Sequence, residues 1–144
     1  MADELPNLND VNVATAFSNL GKLRESESFP RNIAADDRFR QLMLRARAMC
    51  ADGRLGRFKA REMSNVTHAI AKMSGAGRLD TNDMDVKGLL AALEQRAVLV
   101  ASGMNSHDVS HTVYAFASLG WEPGAEARVA LEAGAYTRPL LSST

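Results

Sequence analysis

The stretch His111-Thr-Val-Tyr-Ala-Phe-Ala-Ser-Leu-Gly120 decides how this chain is read. Its apolar residues have the spacing of a short amphipathic helix, and it ends in glycine, the residue that most readily closes a helix. Two earlier stretches repeat it: Asn12-Val-Ala-Thr-Ala-Phe-Ser-Asn-Leu-Gly21 and Asn65-Val-Thr-His-Ala-Ile-Ala-Lys-Met-Ser74. Aligned, they bring Ala16, Ala69 and Ala115 into one column, at separations of 53 and 46 residues. Around it stand the columns Phe17/Ile70/Phe116, Ser18/Ala71/Ala117 and Leu20/Met73/Leu119. A small residue beside a large apolar one is what close helix–helix contact requires: the alanine lets two backbones approach and the large side chain fills the groove.

Working outward, each copy is joined to a second helical pattern. After the first, the segment from about Ala34 to Ala51 places Phe39, Leu42, Met43, Ala46, Met49 and Cys50 on one face. The helix bearing the second copy spans about Lys59 to Met73. Its partner begins at a cap on Thr81 or Asn82, carries Val86, Leu89, Leu90, Leu93, Ala97 and Val100, and closes at Gly103. The third copy is capped by Ser106 and stopped by Gly120, and Gly21 is the expected stop of the first helix. A short sixth helix follows, from about Ala125 to Ala133. No segment alternates with the two-residue period of a strand. The expected fold is all-α: six helices in three pairs, about 8–52, 58–103 and 105–133, stacked as a right-handed-type α-solenoid. Residues 1–7 read as a disordered N-terminus and 134–144 as a frayed tail. Bare stacking ends at helices one and six would favour association with other subunits or with further repeats.

These repeats resemble those of organellar RNA-binding helical-repeat proteins. Such proteins include the octotricopeptide and heptatricopeptide types and the helical repeats of the RNA-editing substrate-binding complex. The resemblance covers most of residues 8–133 and rests on Val66-Thr-His-Ala-Ile-Ala-Lys-Met73 and Thr112-Val-Tyr-Ala-Phe-Ala-Ser-Leu-Gly120. Where that family usually has a large aromatic before the central alanine, this chain has Thr15, His68 and Tyr114. Its repeats are also less evenly spaced, and it reads as a fragment or a minimal member. The resemblance implies single-stranded RNA held on one face of the array, in RNA processing or editing in a mitochondrion or plastid.

Charge fits an RNA partner in one region. The chain is neutral overall, with 17 basic and 17 acidic residues. Arg31 to Arg61, however, holds nine Arg/Lys against three Asp, leaving +6 there and −6 elsewhere. Arg38, Arg40, Arg45 and Arg47 flank the apolar stripe of the second helix, and Arg54, Arg57, Lys59 and Arg61 follow. Guanidinium forks suit phosphate oxygens. The competing reading is a solvated face whose arginine stems cover the stripe's edges. Base readers would lie in the polar columns Asn12/Asn65/His111 and Asn19/Lys72/Ser118. The same columns also suit the wet side of an amphipathic helix. Tyr114 and His68 have rings that could stack on bases or be half-buried between repeats.

Other chemistries find little to work with. His107 and His111 have the i, i+4 spacing of a metal pair but no third ligand in sequence. Cys50 lies on an apolar face without a paired histidine, and a lone cysteine excludes an internal disulfide framework. No Gly-rich segment follows a strand, so no phosphate loop is expected. No cofactor, metal or small-molecule substrate is expected, and no apolar run approaches the ~20 residues of a membrane span. The acidic N-terminus shows no targeting peptide, which reads as intracellular. The expected function is a non-catalytic RNA-binding module; the alternative is a protein–protein scaffold on the same solenoid.

Overall fold

The computed structural model describes residues 9–22, 32–51 and 58–142, with side chains as far as residue 133. Within them are six α-helices and no strand: α1 (Asp10–Lys22), α2 (Asp37–Cys50), α3 (Ala60–Gly75), α4 (Met84–Val100), α5 (Ser106–Ser118) and α6 (Ala125–Ser142). Short 3-10 turns at Ile33–Ala35 and Ala101–Gly103 precede α2 and follow α4. The expected disorder at residues 1–7, and the connections 23–31 and 52–57, lie outside the described residues.

The helices form two rows. α3 packs against α1 on one side and α5 on the other. α4 likewise packs against α2 and α6, and the rows meet through α1–α2, α3–α4 and α5–α6. The aligned columns explain the odd-numbered row. Phe17, Ile70 and Phe116 are each at most 1% exposed, and all point into the core shared with the even row. Leu42, Met43, Leu89, Leu90 and Leu93 meet them from α2 and α4. Fully burying a side chain of this kind is worth about 1.5–3 kcal/mol. Phe17 and Phe39 lock α1 to α2 edge-to-face at 5.7 Å.

Helix ends differ from expectation in instructive ways. The α4 cap is Asp83, not Thr81 or Asn82: its Oδ1 accepts from the N–H groups of Asp85 (2.9 Å) and Val86 (3.3 Å). The α5 cap is Asn105, not Ser106. Asn105 and Asp108 exchange bonds between each side chain and the other's backbone N–H, closing a capping box. α2 starts at Asp37 rather than Ala34, because Asp36 accepts from Arg38 N–H (2.8 Å) and Phe39 N–H (3.4 Å) as its cap. α6 continues to Ser142, well past Ala133.

Two of the glycine positions separate sharply. Gly120 has φ +67° and ends α5, with Trp121 N–H donating back to Phe116 O at 2.9 Å. Gly21 does not stop α1, which runs on to Lys22. Gly21 is instead a point of close approach: a Cβ there would stand 3.2 Å from the Ala69 Cα.

Candidate nucleic-acid interface

The residues opposite the buried stripe of the odd helices form the most distinctive surface. On α3, Met63, Val66, Ile70 and Met73 turn inward, so Arg61, Asn65, His68 and Lys72 fall on the far side of the helix. The repeat register puts Asn12, Thr15 and Asn19 of α1 at the positions of Asn65, His68 and Lys72, with Lys22 one turn further along the same face. It puts His107, His111, Tyr114 and Ser118 of α5 at the positions of Arg61, Asn65, His68 and Lys72. The spacing is 4, 3 and 4 residues on α3 and α5 and 3, 4 and 3 on α1, which keeps each set as a ridge on one face of its helix. Nine of the twelve are exposed, and Asn65, His68 and His111 are half-buried. Three of the twelve are cations, three are imidazoles, three are amides and one is a phenol; none is acidic.

All three histidines of the chain meet on this ridge. His68 of α3 stacks on His111 of α5, ring centroids 4.5 Å apart and planes 21° from parallel. His107, one turn before His111, lies 3.9 Å from it. Burial, together with His111, Lys72 and His107, holds the His68 pKa below the ordinary imidazole value. His68 Nδ1 is buried without a hydrogen-bond partner. The cluster supplies the third imidazole that was missing from the His107/His111 pair. The two stacked rings show one another their faces instead of converging their nitrogens, and among the described residues no group of three or more His, Cys, Asp or Glu side chains is placed to hold a metal ion.

The arginines of α2 occupy the other row, and the structure does not bring them together with the polar columns. Two of them serve the fold. Arg38 bonds Asp36 Oδ2 at 3.1 Å. Arg40 donates to Asp83 Oδ2 at 2.9 Å and also bonds Asp85. Asp83 thus caps α4 with one oxygen and holds α2 with the other. Burial pushes the Asp83 carboxyl up, but Arg40 and the two backbone N–H groups outweigh it and hold it below its usual value. The Arg38 side-chain and backbone bonds lower Asp36 in the same way. Arg45 is half-buried and has a partner of its own. Arg47 lays its guanidinium over α4 at Gly88, where a Cβ would stand 2.7 Å from Nη1. Lys59 is exposed just before α3, and Arg61 lies on the ridge. Arg54 and Arg57 lie outside the described residues.

The columns Asn12/Asn65/His111 and Asn19/Lys72/Ser118 lie on the neighbouring helices α1, α3 and α5. Nothing in the sequence alone signals Lys22, which aligns with Gly75 and Trp121, or joins His107 and His111 to His68. Only His107 could have been found, by extending the repeat alignment one turn before the repeated phrase, where it matches Arg61. Tyr114 is 69% exposed, so it is not half-buried between helices, whereas His68 is.

No protein-family model, curated protein or solved structure matches the chain.

Proposed function

We propose that this chain is a non-catalytic α-solenoid of three helix pairs that binds single-stranded RNA along the outer ridge of α1, α3 and α5. The observation that carries the reading is the ridge's composition: twelve side chains on three neighbouring helices, cationic, amide, aromatic and hydroxyl, with no carboxylate among them. Lys22, Arg61 and Lys72 would neutralise phosphates. The His68–His111 pair and Tyr114 offer ring faces to bases, and Asn12, Asn19 and Asn65 offer amides to base edges. Service in organellar RNA processing or editing belongs to the same proposal and rests on the family resemblance.

Fluorescence anisotropy with labelled single-stranded RNA oligomers tests it. Three phosphate contacts would give a log–log salt slope of about −2 for a single strand. No binding at low salt would reject the RNA reading and leave the protein scaffold, which the uncovered apolar side of α5 favours.

A further inference from the structure

We infer that the two ends of this molecule fit one another, so that α5 of one copy docks on α1 of a second copy, head to tail. The inference rests on packing alone and is independent of RNA binding.

The interface in question is already built twice inside the molecule, as α1 on α3 and as α3 on α5. Each odd helix therefore has a leading side, which meets the helix before it, and a trailing side, which meets the helix after it. Gly21 on the trailing side of α1 touches Ala69 on the leading side of α3. Ser64 on the trailing side of α3 bonds the Asp108 carbonyl of α5 at 3.2 Å, and His68 stacks on His111.

Exposure follows these sides in two of the trailing columns; in a third, Val11 of α1, aligned with the buried Ser64, is 55% exposed. On the trailing side, Ala14 and Ser18 of α1 are buried and half-buried, and Thr67 and Ala71 of α3 are both buried. The same positions on α5, Val113 and Ala117, are exposed, and no described helix packs on that side of α5 as α5 packs on α3. Val113 is 47% exposed, and with Ala117 it borders a mostly apolar groove of roughly 430 Å³ between α5 and α6. The leading side runs the other way. Ala69 and Ala115 are at most 2% exposed, while Ala16 on α1 is only half-buried, and no described helix packs on that side of α1.

The register supplies the fit. Gly21 aligns with Gly120, and Ala69 aligns with Ala16. The small-on-small approach of α1 and α3 would be recreated by Gly120 of one copy against Ala16 of the next. Val113 and Tyr114 would come under cover as Thr67 and His68 do within the chain. Such a contact is heterologous and does not close on itself, so it propagates into short linear stacks. It would also lengthen the polar ridge beyond three repeats.

Sedimentation velocity on the purified chain without RNA tests the inference, with A16R spoiling only the leading end and V113E only the trailing end. Wild type is expected to form concentration-dependent dimers and larger species, and each variant alone to stay monomeric with wild-type helical circular dichroism. An equimolar mixture is expected to give a 1:1 dimer and nothing larger, since A16R contributes an intact α5 and V113E an intact α1. That rescue also establishes that both variants are folded. A wild-type chain that stays monomeric up to high micromolar concentration overturns the inference. So does self-association that both variants retain.

Discussion

Gly21 on α1 and Ala69 on α3 bring two helix backbones into near contact: a Cβ at Gly21 would lie 3.2 Å from the Ala69 Cα and 3.3 Å from its Cβ. Helix propensity alone favours alanine over glycine by about 1 kcal/mol. Here the neighbouring atoms belong to a backbone and cannot swing aside. G21A should therefore gain no stability, and G21V should lose about 2 kcal/mol through overpacking. G120A, aligned with it at the open end, should lose roughly 1 kcal/mol for a different reason, its left-handed backbone. Urea denaturation of the three variants checks this; a stabilised G21A would mean that α1 and α3 have room between them.

The arginines flanking α2 should divide by their partners. R40A removes the tie between α2 and the cap of α4 and should lower the melting temperature clearly. R38A breaks only a local bond to Asp36 on an exposed edge and should lower it little. Because the Asp83 pKa is depressed in the fold, its contribution is present above the ordinary carboxylate value near ~4 and is lost as pH falls below it. Thermal melts at neutral pH and near pH ~3 should show the gap between wild type and R40A narrowing in acid. An equal gap at both would remove the ion pair from the account.

The histidine cluster should make the α3–α5 contact sensitive to mild acid. Its lowered pKa means that His68 takes up a proton more readily in the unfolded chain than in the folded one. Its contribution is thus complete above the ordinary imidazole value of about 6.5 and declines as pH falls through and below it. H68Q should flatten that part of the stability–pH curve. Chemical denaturation between neutral pH and pH ~5 measures the slope, and a slope unchanged by H68Q would contradict the prediction.

Cys50 should be silent to thiol reagents. It is 4% exposed, and burial pushes its thiol up to about 12, only slightly offset by Arg96. The thiolate is the reactive form, so native protein should resist alkylation at pH ~8 and denatured protein should react at once. Labelling followed by mass spectrometry decides it.

Much of the fold was legible because it repeats. The Ala16/Ala69/Ala115 register named the buried partners Phe17, Ile70 and Phe116 correctly, since one amphipathic pattern buries the same positions wherever it recurs. Caps were less legible. Thr81, Asn82 and Asp83 stand side by side and all can cap; the choice fell to Asp83, whose second oxygen is held by Arg40 from 43 residues away. The same long-range pair could not be read from the basic segment: charge density along a sequence does not tell which arginines already have carboxylates. The ridge could not be seen whole until α1, α3 and α5 were known to lie side by side.

The proposed RNA-binding surface is the odd-helix ridge. The most direct measurement compares two double charge reversals in one anisotropy titration at low salt: R61E/K72E on α3 and R45E/R47E on α2. Loss of RNA binding in R61E/K72E, with near wild-type affinity in R45E/R47E, is the predicted result. Retained binding in R61E/K72E together with loss in R45E/R47E would place the interface on the other row and contradict the account.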